Sequence, residues 1–147
     1  LCPSARITAH DIDPARMQDI GPRAARAGAR ITLAGPGRIE GKFDLVLVDA
    51  PCTGSGTWRR TPEAKWRLTP ERLAELVMLQ AEILRRASAH VAPGGRLLYM
   101  TCSLLSVENA RQVEAFCAGQ RFVPDRVQQL TPLDGGDGFF GAMMRRS

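Results

Sequence analysis

The chain has 147 residues, 44% of them hydrophobic and 24% charged, which suits one globular domain over 1–147 with a sizeable core and argues against a disordered protein. Its longest apolar stretches, FDLVLVDA and GRLLYM, are strand-length, so neither a membrane-spanning helix nor a secretory signal is predicted and a soluble, cytoplasmic protein is expected. The net charge is +5 and Lys42 and Lys65 are the only lysines; arginine's planar fork suits phosphate and base contacts, so this balance admits a nucleic-acid partner, although an arginine-rich genome would produce the same balance without one.

In chain order, strand-like and helix-like runs alternate. ARITAHD (5–11) reads as a strand ending on an acid, and Pro14 opens a helical stretch toward Gly28 in which Gly21-Pro22 predicts a kink or a split. ARITLA (29–34) is a second strand. FDLVLVD (43–49) is a third, and its almost continuous apolar run predicts burial on both faces. TPERLAELVMLQAEILRRASAHV (69–91) is the clearest helix, with Thr69 as N-cap, Pro70 at the first helical position and Pro93-Gly94-Gly95 as its stop. RLLYMTC (96–102) is a fourth strand, Ser106 caps a helix running to Gly119, and RFVPDRV followed by GFFGAMMRR predicts a terminal antiparallel pair. This alternation predicts an α/β fold, an open and mostly parallel sheet with helices on both faces. Ligands of such sheets bind at the carboxyl ends of the strands, where Asp11, Asp49, Cys52 and Cys102 all fall.

Four cysteines occur, with no C-x-x-C pair and no histidine at zinc-ligand spacing, so neither a metal nor a disulfide framework is expected. Cys2 and Cys117 read as small buried hydrophobes. Cys52 follows Asp49-Ala50-Pro51 and enters the glycine-rich TGSG, while Cys102 stands 50 residues on at the next strand end. TGSG lacks the Gly-Lys-Ser/Thr ending of a P-loop, and Arg59 stands where a dinucleotide fingerprint would need its third glycine. Two thiols at one sheet rim suggest different chemistry. A thiolate is suited to add to an electron-poor ring carbon, and addition at carbon 6 of cytosine makes carbon 5 able to take a methyl group. The residues themselves leave open which cysteine would add.

FDLVLVDAPCTGSGTWRRTPEAKW, GGRLLYMTCSLLSVEN and GDGFFGAMMRR together resemble the catalytic core of the Sun/Fmu-like family of RNA (cytosine-5)-methyltransferases, over nearly the whole chain. The resemblance implies a Rossmann-like class I methyltransferase fold, S-adenosylmethionine as cofactor and RNA, ribosomal or transfer, as partner. It implies Cys102, in Thr-Cys-Ser, as the nucleophile, and Cys52, in Pro-Cys, as the residue that assists product release. It implies Asp49 facing both the methyl donor and the cytosine, and Asp11, in HDID, accepting from the donor's ribose hydroxyls. Asp13 reads instead as a surface helix start. Pro51, Arg59, Arg60 and Lys65 fall on the RNA side, with Arg67 beside them; Trp58 and Trp66 read first as anchors of that loop to the core and second as stacking platforms. Arg145 and Arg146 read as an exposed solubilising pair, and His10 and His90 as structural.

Two departures from the family pattern follow. The chain begins at LCPSARITAHD, without the family's Pro-Gly-Gly-Lys type donor loop, so a fragment incomplete at its amino end is expected, unless the strands ending at Asp11 and Asp49 pair directly. In LAGPGR, Pro36 stands where an acid usually holds the donor's adenine amine. The expected activity is methyl transfer to carbon 5 of an RNA cytosine; the alternative is an inactive module that holds RNA through its arginines.

Overall fold

The computed structural model describes residues 4–147, so Cys2 lies outside the described residues. The chain forms two compact units, Leu1–Gly41 and Lys42–Ser147. In the first, β1 (Ile7–His10) runs parallel to β2 (Ile31–Ala34), with Ile7 beside Ile31 and His10 beside Ala34. His10 Nδ1 donates to the Ala34 carbonyl at 3.2 Å, the structural role expected of it. The helix expected from Pro14 to Gly28 is split. Asp13 accepts the Ala15 amide at 3.0 Å and starts a 3-10 turn over Pro14–Met17. Helix α1 (Ile20–Arg26) then places Pro22 in its first turn, where a backbone N–H would have no helical partner anyway. After β2, the Arg38 amide bonds the Gly35 carbonyl at 3.0 Å; Pro36 supplies a fixed φ and Gly37 the φ of 70° that a type II turn demands.

The second unit is built on β3 (Phe43–Asp49), β4 (Val91–Thr101), β5 (Phe122–Leu130) and β6 (Phe139–Arg146), in the sheet order β3-β4-β6-β5. β3 and β4 are parallel, and the expected terminal antiparallel pair is β5 and β6, with β6 also antiparallel to β4. β3 is a correction to its expected burial: Leu45 and Leu47 are 50% and 55% exposed, because an apolar run reports residues that suit both faces of a strand, not neighbours that cover them.

Helix α2 (Glu63–Arg67) is short, and α3 (Pro70–Ser88) is long. Thr69 Oγ1 accepts the Arg72 amide at 3.2 Å, so the predicted cap is in place with Pro70 behind it. Leu76, Gln80, Leu84 and Ser88 form the buried stripe of α3. The helix ends at Ser88, before Pro93-Gly94-Gly95, which instead interrupts β4: Val91 pairs with Phe43 but Arg96 with Leu45. A Cβ on Gly95 would stand 2.9 Å from the Ala92 carbonyl, so this irregularity requires glycine. Helix α4 (Ala110–Gly119) begins later than expected, because the Ser106 carbonyl accepts the Asn109 and Arg111 amides in a turn ahead of it. α3, α4 and the sheet enclose a core that includes Leu84, Val91, Leu97, Tyr99, Phe116 and Phe140, against which Cys117 packs as a partly buried hydrophobe. Arg146, expected in solvent, is half-buried and donates to the Val91 carbonyl at 2.5 Å.

Candidate active site

Because β3 and β4 are parallel and Asp49 lies beside Met100, the chain leaves both strands at the same edge. The Ala50 amide continues the ladder to the Met100 carbonyl at 3.0 Å, and the Gly56 amide reaches the Cys102 carbonyl at 2.9 Å. The two loops thus run together. They bring Cys52 Sγ within 3.4 Å of Cys102 Sγ, with both side chains half-buried.

This contact separates the two thiols chemically. The hydrogen bond from Cys52 is the largest influence on Cys102 and lowers its pKa to about 7, against the opposing effects of burial and of the Asp49 and Glu108 charges. The same bond, with burial, pushes Cys52 far above the ordinary thiol range. As pH rises through about 7 the pair gives up one of its two protons, and Cys102 is the member favoured as thiolate.

The glycines of TGSG serve the close approach of backbones. Gly54 has φ of 67° and turns the loop over Cys102 Sγ. A Cβ on Gly56 would lie 2.1 Å from the Gly138 carbonyl oxygen, and the Gly138 amide donates to the Gly56 carbonyl at 2.9 Å.

Residues 1–124 match the 16S rRNA methyltransferase RsmB/F family. The chain belongs to that family. It is 37% identical over 161 residues to the ribosomal RNA small subunit methyltransferase B of Klebsiella pneumoniae, across 98% of this chain and 37% of that relative, so it spans just over a third of the relative's length. A methyltransferase homolog protein from Pyrococcus horikoshii is similar at 25% identity and a TM-score of 0.83, over 99% of this chain and 54% of that one. NSun6 from Pyrococcus horikoshii, solved with SFG, shares the fold at 23% identity and a TM-score of 0.85, over 98% of this chain and 42% of that one. The architecture is the Rossmann-like methyltransferase fold.

In this RsmB/F family member the other singled-out residues are placed as follows. Asp49 is exposed at the end of β3, and Pro51 gives its carbonyl to Gln80 Nε2 at 2.9 Å. Asp11, directly after β1, accepts the Asp13 amide at 2.8 Å. Arg59 and Arg60 both face Asp137, at 4.0 and 2.5 Å. Lys65 Nζ lies 5.5 Å from the ring centre of Trp66. Trp66 is 82% exposed and anchors nothing to the core, a correction to its first reading; Trp58 is half-buried and its enclosed Nε1 has no partner among the described residues. Among the described residues no helix is long and apolar enough to cross a membrane, and no group of three or more His, Cys, Asp or Glu can hold a metal.

Sequence reasoning missed a buried polar network beneath the thiols. Glu108, 0% exposed, accepts from Thr53, Gln80 and Ser103, while Asn109 joins Thr101, the Ser103 carbonyl and Gln129. One signal was available for it: Gln80 stands between Leu76 and Leu84 on a stripe that the helical period reserves for apolar side chains.

Proposed function

We propose that this chain carries the catalytic core of an enzyme that transfers a methyl group from S-adenosylmethionine to carbon 5 of a cytosine in ribosomal RNA, through a covalent adduct with Cys102. The observation that carries this reading is the 3.4 Å contact between two thiols at one sheet edge, with Cys102 the acidified member. Membership of the RsmB/F family supports the methyl donor and the RNA class.

S-adenosylmethionine supplies, when bound, a methyl group activated by a positively charged sulfur. Within the second unit, Asp49 at the end of β3 offers it a carboxylate; within the first, the Asp11 carboxylate directly after β1 is oriented by the Asp13 amide. Pro36, at the top of its turn, offers no side-chain acceptor for an adenine amine. Cys102 thiolate adds to carbon 6 of cytosine, and the electron pair of the C5–C6 double bond moves toward carbon 5, which becomes the nucleophile. After methylation, the carbon 5 proton leaves to a base and the C6–S bond breaks. The double bond re-forms and Cys102 departs as thiolate. Cys52 assists that departure by offering its S–H to the leaving sulfur, the same hydrogen bond that lowers Cys102 in the resting site. Arg59, Arg60 and Lys65 meet the RNA backbone.

Small-subunit ribosomal RNA transcribed with 5-fluorocytidine tests the reading, because fluorine at carbon 5 blocks release. The expected result is a denaturant-resistant protein–RNA adduct that persists in Cys52→Ala and disappears in Cys102→Ala. Absence of an adduct in the full-length protein, or its survival in Cys102→Ala, overturns the covalent mechanism.

A further inference from the structure

The two loops that carry the sulfur pair are tied together by a carboxylate that the proposed reaction does not consume. Glu108 lies fully buried in the turn before α4, and its four contacts are to uncharged donors. Its Oε1 accepts the Thr53 amide at 2.9 Å and Gln80 Nε2 at 3.0 Å; its Oε2 accepts Thr53 Oγ1 at 2.6 Å and Ser103 Oγ at 2.5 Å. Gln80 also holds the Pro51 carbonyl. One carboxylate therefore bonds the residue after Cys52 and the residue after Cys102 directly, and holds the residue before Cys52 through Gln80. A buried charge without a cation is costly and persists where hydrogen bonds compensate it.

The directions of these bonds leave little freedom. Ser103 Oγ receives the Leu105 amide at 3.0 Å and lies 3.0 Å from Ser55 Oγ, which itself receives the Leu104 amide at 2.8 Å. The Ser103 proton goes to Glu108 Oε2, which leaves Ser55 Oγ as the donor to Ser103 Oγ. An acceptor is required there, and an amide would present a second donor. Tyr99 Oη fixes the Glu108 backbone through its carbonyl at 2.7 Å, and Gln112 Nε2 fixes Gln80 Oε1 at 3.2 Å.

We propose that Glu108 is a positioning residue that sets the Cys52–Cys102 contact, holding the two loops so that one thiol meets the other at hydrogen-bond distance. The inference rests on the reading above, in which these thiols carry the reaction. Charge alone would not place a carboxylate here, since the Glu108 charge opposes the Cys102 thiolate. Its value is geometric.

The test is the pH profile of Cys102 alkylation by iodoacetamide, followed by mass spectrometry on the full-length protein, with circular dichroism as the check on folding. The parent profile is expected to be half-maximal at about pH 7. In Glu108→Gln the midpoint moves up toward the ordinary thiol value of about 8.5, and the rate at pH 7 falls by roughly threefold, the loss of thiolate being partly offset by its greater nucleophilicity. If Glu108 acts only by its charge, the same variant moves the midpoint down; a lowered or unchanged midpoint overturns the proposal. Should Glu108→Gln fail to fold, Thr53→Val decides in its place: an upward shift supports positioning and an unmoved profile overturns it. Failure of the methyl-transfer reading shows separately, as absence of the fluorocytidine adduct in the parent protein, and the alkylation profile still decides on Glu108.

Discussion

Gly56 and Gly138 meet backbone to backbone: the Gly138 amide bonds the Gly56 carbonyl at 2.9 Å, and a Cβ on Gly56 would stand 2.8 Å from the Gly138 Cα. Neither backbone can give way as a flexible side chain would. Gly56→Ala is expected to cost about 1–3 kcal/mol in a urea unfolding experiment. Gly141→Ala, where nothing lies within 4 Å of the new methyl, is the control, with an effect within about 1 kcal/mol. Equal effects would refute the close-approach account.

The thiolate is the reactive form of a cysteine, so Cys102 alkylation should rise with pH through about 7 and level off above it. Cys52→Ala removes the hydrogen bond that contributes most to the lowering. The midpoint should then rise toward about 8.5, with roughly threefold slower alkylation at pH 7. An unmoved midpoint in this variant would show that the sulfur contact does not set the acidity.

Arg59 and Arg60 are held by Asp137 in exposed ion pairs, whose contribution to stability is about 0–1 kcal/mol. Asp137→Asn should therefore leave the unfolding midpoint nearly unchanged while tightening RNA binding. Arg60→Ala should weaken RNA binding and reduce the slope of log K against log salt by about one. Fluorescence anisotropy at several salt concentrations measures both, and an unaltered slope in Arg60→Ala would remove this arginine from the RNA surface.

Within α3, two substitutions of unequal cost separate cap from core. Thr69→Ala loses the bond to the Arg72 amide and should cost about 1 kcal/mol. Leu84→Ala empties a fully buried position and should cost about 2–5 kcal/mol. Denaturant midpoints measured side by side check the order, which reverses only if Leu84 is not a core residue.

Much of the fold is legible where the signal is local. The span 43–49 is a strand to the residue, and Thr69-Pro70 starts its helix as capping chemistry demands. Expectations fail where a distant partner decides. Pro93-Gly94-Gly95 carries the punctuation of a helix stop, yet the ladder from Phe43 to Val91 draws those residues into β4. The apolar run of β3 is visible, but whether anything covers Leu45 and Leu47 is not. At the site, the cysteines stand out by motif, whereas the acidity of one of them depends on a sulfur–sulfur distance across 50 residues of chain. Glu108 is hidden because a glutamate ahead of a helix reads as solvated surface, and only the misplaced polarity of Gln80 hints at the network. Trp66 misleads because a large aromatic is presumed buried until its surroundings are known.

β6 lies between β4 and β5 although it is synthesised after both. A ribosome that has released Cys52, Cys102 and Glu108 has not yet released the Met144 and Ala142 that lie beside Leu97 and Tyr99, nor the Gly138 amide that seats the glycine loop. The strand that completes the surroundings of the sulfur pair is therefore made after every residue of that pair's network, and the lowered pKa of Cys102 is expected only once β6 has taken its place between β4 and β5.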